Sequence, residues 1–290
     1  ELLQHNIIKE KNITKAEEIS PYLNLSKDEE VKLNEILKKY PMSITPYYLS
    51  LVDFNDPDDP IKKMCIPSIA ETDLSGSFDT SGEADNTVVT GVQHKYRETV
   101  IVLSTNHCAM YCRHCFRKRL VGLSDEEIAK YFDEMIEYIK EHKEISNVLI
   151  SGGDSFCNSN AKIEKYLREL IEIEHLDLIR FGTRIPVVYP QRISKDYNLK
   201  KILKSYCKKK QIYVVTQFNH PREVTKEAKE SIEALKEAGI IVKNQTVLLK
   251  GVNDNSETLG KLLKKLTSIG VIPYYVFQCR PVTGVKNQFQ

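Results

Sequence analysis

Residues 99–119 read TVIVLSTNHCAMYCRHCFRKR, and the order of chemistry in that stretch governs how the rest of the chain is read. A β-branched, apolar run fills 99–105, and three cysteines follow directly at Cys108, Cys112 and Cys115, with Arg113, Arg117, Lys118 and Arg119 around and after them. A run of that composition and length predicts a buried strand. A strand that delivers reactive side chains at its C-terminal end is the habit of α/β barrels.

Outward from this stretch the same pattern repeats. Further strand-like runs lie at 147–153 (NVLISGG), 178–183 (LIRFGT), 211–217 (QIYVVTQ), 241–249 (IVKNQTVLL) and 273–279 (PYYVFQC), each separated from the next by a capped or amphipathic helical segment. Strands alternating with helices require crossovers, and hence a parallel sheet. No G-x-G-x-x-G follows the first strand, so a doubly wound dinucleotide-binding sheet loses ground to a barrel. Polar residues gather where the strands end: Ser151, Gly152, Gly153 and Asp154, then Thr183 and Arg184, then Gln217 and His220, and last Arg280. Only Gln245 falls part-way along its strand. The sequence therefore predicts a partial (β/α)6 barrel over 91–290.

The first ninety or so residues differ. SKDEEVKLNEILKKY at 26–40 predicts a helix with Ser26 as cap and Glu29 closing a capping box, its apolar face built from Val31, Leu33, Ile36 and Leu37. ETDLSGSFDTSGEADN at 71–86 is polar and rich in Gly, Ser and Asp, and reads as a mobile loop marking the boundary between an N-terminal helical region (1–90) and the barrel. The chain has 42 basic and 40 acidic residues, a balance without the broad positive field of a general nucleic-acid binder. No apolar run approaches the roughly 20 residues needed to cross a bilayer. Residues 1–30 lack the pattern of an export signal, so a cytoplasmic setting is expected. Seven cysteines there favour thiol or metal chemistry over disulfides, and Cys65, Cys157, Cys207 and Cys279 are read as buried or partly buried small apolar residues.

Three readings compete for the cysteine cluster. As a helical stripe it lacks support, because the residues between the cysteines do not continue an apolar period. A structural zinc site wants four ligands, and the adjacent His107 and His114 are poorly placed to supply one. An iron-sulfur cluster accepts thiolates, and three of them would leave one iron open.

C-x3-C-x2-C is the motif of the radical S-adenosylmethionine (SAM) enzymes, and the chain resembles that superfamily. Within it, MYCRHCFRKR, ITPYYLSLVDFNDPDDPI, ISGGD, RIPVVYPQRI, FNHPREVT, KNQTVLLKGVND and YYVFQC resemble the lysine 2,3-aminomutase family in order and spacing, from about residue 25 onward. The resemblance implies a 4Fe-4S cluster on Cys108, Cys112 and Cys115, with SAM chelating the open iron. It puts His114 at an adenine contact and Gln217 and Gln245 near SAM. Gly152 and Gly153 would let the backbone approach the methionine amino group, from which Asp154 would accept a hydrogen bond. It also implies pyridoxal phosphate (PLP) held at Lys95 and Tyr96, a free amino acid whose carboxylate meets Arg117, and migration of nitrogen from carbon 2 to carbon 3. An electron donor such as flavodoxin or ferredoxin, and self-association into a homo-oligomer, belong to the same expectation, whereas nucleic acid and membrane partners do not. Lys118 and Arg119 are read as solvated surface.

This chain departs from the family pattern at several of these places. Lys95 and Thr99 stand where the pattern has two arginines. Arg280 stands where lysine mutases carry an aspartate facing the substrate ammonium, which argues against lysine and for a substrate with a carboxylate or other acceptor at its far end. The lysine expected to bear PLP falls beyond these 290 residues in the pattern. Action on a lysine within a protein, a member without PLP dependence, and an iron-sulfur electron carrier are the alternatives.

Overall fold

The computed structural model describes residues 12–290; residues 1–11, part of the segment read for an export signal, lie outside it. One eight-stranded sheet runs in chain order: β1 (Thr87–Val89), β2 (Val92–Tyr96), β3 (Thr99–Thr105), β4 (Asn147–Gly152), β5 (Leu178–Gly182), β6 (Gln211–Thr216), β7 (Ile241–Leu248) and β8 (Ile272–Gln278). From β3 to β8 every pairing is parallel, giving the six barrel strands read from the sequence. The antiparallel hairpin of β1 and β2 adds two more against β3. It lies across the expected boundary at residue 90 and joins that segment to the barrel sheet.

The helices are α1 (Ala16–Leu23), α2 (Lys27–Lys39), α3 (Pro46–Leu49), α4 (Pro60–Cys65), α5 (Phe132–Glu141), α6 (Asn160–Ile171), α7 (Ile185–Val188), α8 (Gln191–Ser194), α9 (Tyr197–Cys207), α10 (Lys226–Glu237), α11 (Ser256–Ser268) and α12 (Lys286–Phe289). In α2 the predicted capping box forms: the Ser26 hydroxyl accepts from the Glu29 amide and the Glu29 carboxylate accepts from the Ser26 amide. Leu33 and Ile36 are buried, but Val31 is 61% exposed and takes no part in the apolar face. The helical segment expected between the first two strand runs, LSDEEIAKYFDEMIEYIKEHK at 123–143, begins only at Phe132, because 120–131 is committed to turns that follow the cysteine loop.

Alternate strand residues separate the two faces of the sheet. Val100, Val102, Val148, Ile150, Ile179, Phe181, Ile212, Val214 and Val242 are buried in the main core with Met135, Ile139, Leu167, Leu203, Leu235 and Leu266 of the surrounding helices. Each such side chain removed from water contributes about 1.5–3 kcal/mol, which is the principal driving force for wrapping helices round the sheet. The residues between them, such as Leu149, Arg180, Tyr213, Lys243 and Gln245, face the inside of the barrel and are only half-buried. Strand β8 pairs with β7 alone and every one of its residues is exposed, so the barrel is open along that edge.

Candidate functional site

The site is built around the loop after β3. The Tyr111 amide donates to the Ser43 carbonyl and the Arg113 amide to the Met64 carbonyl, both at 2.9 Å, so the N-terminal segment is bonded to the cysteine loop itself. On the opposite side the Gly153 amide donates to Thr105 O at 2.5 Å and the Asp154 amide to His107 O at 2.8 Å. Gly152 has φ of +109°, and a Cβ there would lie 2.3 Å from Thr105 O; one on Gly153 would lie 2.4 Å from His107 O. Both glycines are thus required by the approach of two backbone segments of this chain, the second of which carries Cys108.

Cys108, Cys112 and Cys115 lie in irregular turns and not on a helix, which removes the packing-stripe reading. None is in a disulfide, and their sulfurs are close enough to influence one another electrostatically. Burial pushes the Cys108 thiol well up, and burial with the neighbouring Cys112 pushes Cys115 up to about 11. Three soft sulfur donors in one half-buried loop suit an iron-sulfur cluster. Among the described residues no three His, Cys, Asp or Glu side chains close on one metal ion, and thiolates that serve separate corners of a cluster stand further apart than those of a mononuclear site.

Arg184, two residues after β5, is a node to which no role was assigned from the residues. Its Nη1 donates to Cys112 Sγ at 2.7 Å, its Nε to the Gln217 carbonyl at 3.1 Å, and its Nη2 to Tyr48 Oη and Glu223 Oε1 at 3.2 and 2.5 Å. Its backbone amide donates to Asp154 Oδ2 at 2.7 Å. One buried cation therefore ties the cysteine loop to the ends of β4, β5 and β6 and to α3. Asp154 also accepts from the Phe156 amide and the Thr183 hydroxyl, so its carboxylate is already an organiser of the strand ends.

His114 is buried, and its Nε2 lies 3.3 Å from both Gln217 Nε2 and Asn219 Nδ2. Two amide donors converging on Nε2 place the ring proton on Nδ1, which is buried without a partner. An orphaned buried donor beside the cysteines is a place for a ligand acceptor. His114 and Gln217 are thus brought together as expected, with Asn219 as the member that sequence reading missed. Gln245 lies on the inner face of β7, apart from this trio.

The cationic run resolves differently from its reading as surface. Arg113 is 2% exposed and pairs with Glu71 through two of its nitrogens. Lys118, expected at the surface, is buried and pairs with the same Glu71 at 2.7 Å, while burial and the Arg113 charge push it down to about 8. Arg119, also expected at the surface, is largely buried and bridges Glu83 at 2.8 Å and Glu127 at 2.7 Å. Arg117 donates through Nε to Glu83 at 2.8 Å and through Nη1 to Ser151 Oγ and the Gly152 carbonyl at 3.1 and 3.3 Å. Its fork therefore already holds a carboxylate. Glu71 and Glu83 come from the polar segment 71–86, which is anchored by buried ion pairs where a mobile loop was expected. The sequence signal was present: two glutamates in a Gly/Ser-rich loop and four cations in one short run, with nothing in the primary structure to pair them.

Lys95 and Tyr96 lie at the exposed end of β2. Lys95 Nζ donates to Ser81 O at 2.8 Å, and Tyr96 is 64% exposed, so neither is gathered with the cysteine loop. Arg280, just after β8, is exposed and donates to the Thr80 carbonyl at 3.3 Å.

The fold and the loop define a class: a partial barrel carrying three cysteines after its first parallel strand. Residues 102–263 match the family described as "Radical SAM superfamily". Among curated proteins the chain is 44% identical over 280 residues to an Aquifex aeolicus (strain VF5) protein named "Putative L-lysine 2,3-aminomutase", covering 95% of this chain and 74% of that one. It is 40% identical to the L-lysine 2,3-aminomutase of Clostridium subterminale, covering 95% and 66%, and 40% identical to the glutamate 2,3-aminomutase of Clostridioides difficile (strain 630), covering 95% and 64%. The chain belongs to the lysine 2,3-aminomutase family of radical SAM proteins. That membership implies a 4Fe-4S cluster and SAM, for which the three half-buried thiols and the orphaned His114 Nδ1 are fitting partners.

Proposed function

We propose that the chain is the catalytic barrel of a radical SAM isomerase that moves the α-amino group of a free amino acid to carbon 3. The observation that carries this is the cysteine loop at the end of β3, in a chain so similar to both lysine and glutamate mutases. When bound, the cluster and SAM supply a 5'-deoxyadenosyl radical and PLP carries the migrating amine. The protein's part is to hold and shield. Cys108, Cys112 and Cys115 hold the cluster, Arg184 fixes Cys112, and His114, with Gln217 and Asn219 setting its tautomer, offers Nδ1–H to SAM. Gln245 meets the adenosyl group from the inner wall. Arg117 receives the substrate carboxylate once Glu83 yields its place, a guanidinium fork being matched to that group.

Arg280 favours a substrate ending in a carboxylate, since a guanidinium opposite an ammonium is repulsive. Glutamate, the substrate named for the Clostridioides difficile relative, is the first to test. Anaerobically reconstituted protein should show 4Fe-4S absorption and cleave SAM reductively, and alanine at any of the three cysteines should abolish both. Wild-type protein without either signal sinks the radical reading. Turnover of lysine faster than glutamate sinks the use made of Arg280 and leaves the radical reading standing.

A further inference from the structure

Arg184 divides its donors between the cysteine loop and a buried acid. Nη1 donates to Cys112 Sγ at 2.7 Å, and among the described residues no other cation is hydrogen-bonded to a sulfur of the loop. Nη2 donates to Glu223 Oε1 at 2.5 Å and to Tyr48 Oη at 3.2 Å, and the Tyr48 hydroxyl donates to the same Glu223 oxygen at 2.6 Å. The other carboxylate oxygen, Oε2, accepts from the Asn219 and His220 amides at 2.6 and 2.9 Å. Tyr48 and Glu223 are fully buried, and Arg184 is 7% exposed. Four donors thus pin the acid, the acid pins the guanidinium, and the guanidinium is aimed at one sulfur of the three.

We infer that the Arg184–Glu223 pair sets the reduction potential of the cluster through Cys112: Arg184 raises the potential and Glu223 holds that rise in check. The inference rests on the reading of Cys108, Cys112 and Cys115 as cluster ligands. In the step concerned one electron passes from a reductant into the cluster, no bond or proton moves, and the cluster becomes more negative by one charge. A cation bonded to a ligating sulfur stands beside the added charge and favours the reduced form, and hydrogen bonds to the sulfurs are among the levers that set such potentials. Glu223 lies farther away by the width of the guanidinium, so it opposes reduction more weakly. Because the pair is buried, water screens neither charge. A neutral side chain could brace Cys112 equally well, and a charged pair taken out of water is the costlier way to do so. Tyr48 is a positioning residue: bonded to both members, it keeps the fork from turning wholly toward the acid.

Redox titration of the reconstituted chain without added SAM, followed by electron paramagnetic resonance of the reduced cluster, reads the potential directly. Arg184→Gln should shift the reduction equilibrium about tenfold or more toward the oxidised cluster, roughly 59 mV or more for a one-electron couple. Glu223→Gln removes the opposing charge and keeps the shape, and should shift the equilibrium about threefold in the other direction. Arg184→Lys keeps the charge without the fork, and should fall between wild type and Arg184→Gln. A purely structural brace predicts the same direction for loss of either partner, so shifts of equal sign, or an unchanged potential in Arg184→Gln, would overturn the inference. Where a variant fails to fold or to hold iron, wild-type protein carrying isotopically labelled arginine decides alone. Its reduced cluster should show a magnetic coupling to an arginine nitrogen, and absence of that coupling overturns the assignment. Wild-type chain that assembles no 4Fe-4S cluster refutes the ligand reading itself, an outcome distinct from a cluster whose potential ignores Arg184.

Discussion

Glu71 and Glu83 carry the local electrostatics of the cysteine loop. Glu71 is fully buried between Arg113 and Lys118, and Glu83 lies between Arg117 and Arg119. Removing one partner of a buried pair strands the other charge, so Glu71→Gln should cost about 3–5 kcal/mol in chemical denaturation. A loss below about 1 kcal/mol would mean that Arg113 finds water or another acceptor. The cysteines themselves, and the histidine between them, were legible as residues because their spacing is specific. Arg184 was not, since a single arginine at a strand end looks the same whether it points to solvent or to Cys112 Sγ.

Elements reached their places for reasons that sequence displays unevenly. The barrel strands and the five longer barrel helices follow from apolar periodicity and caps, and the strand at Thr99–Thr105 coincides with the run read from residues. The turn at 152–153 depends on a tertiary approach. Gly152→Ala should therefore misplace the loop that bears Cys108, at a backbone cost of about 1–3 kcal/mol, and iron bound per chain after reconstitution should fall well below wild type. Gly260 offers the contrast: it lies within α11 and a Cβ there meets nothing within 4 Å. Gly260→Ala should stabilise by about 0.5–1 kcal/mol, seen as a raised denaturation midpoint with unchanged iron content.

For the molecule as a whole, the acid limb of stability is set by the same glutamates. Burial pushes the Glu71 carboxyl up, but Arg113 and then Lys118 outweigh it and hold it below its ordinary value of 4.5; Glu83 follows the same pattern with Arg117 and Arg119. With folded values lowered, the unfolded chain binds more protons, so stability is complete above the ordinary carboxylate range and is lost as pH falls through the folded values. Asp154, raised by burial, works in the opposite sense. The slope of stability against pH below about 4.5 should flatten in the Glu71→Gln/Glu83→Gln double variant even though its absolute stability is lower; an unchanged slope would place the acid sensitivity elsewhere. By itself the sequence determined the parallel barrel and the three-cysteine loop, because strand periodicity, helix caps and C-x3-C-x2-C are local patterns. Only the tertiary structure decided that Lys118 and Arg119 are drawn into ion pairs with Glu71 and Glu83, and that Glu83 fills the fork of Arg117. Pairing of charges depends on which distant residues the packed core brings within a few ångströms, and no local pattern encodes that distance.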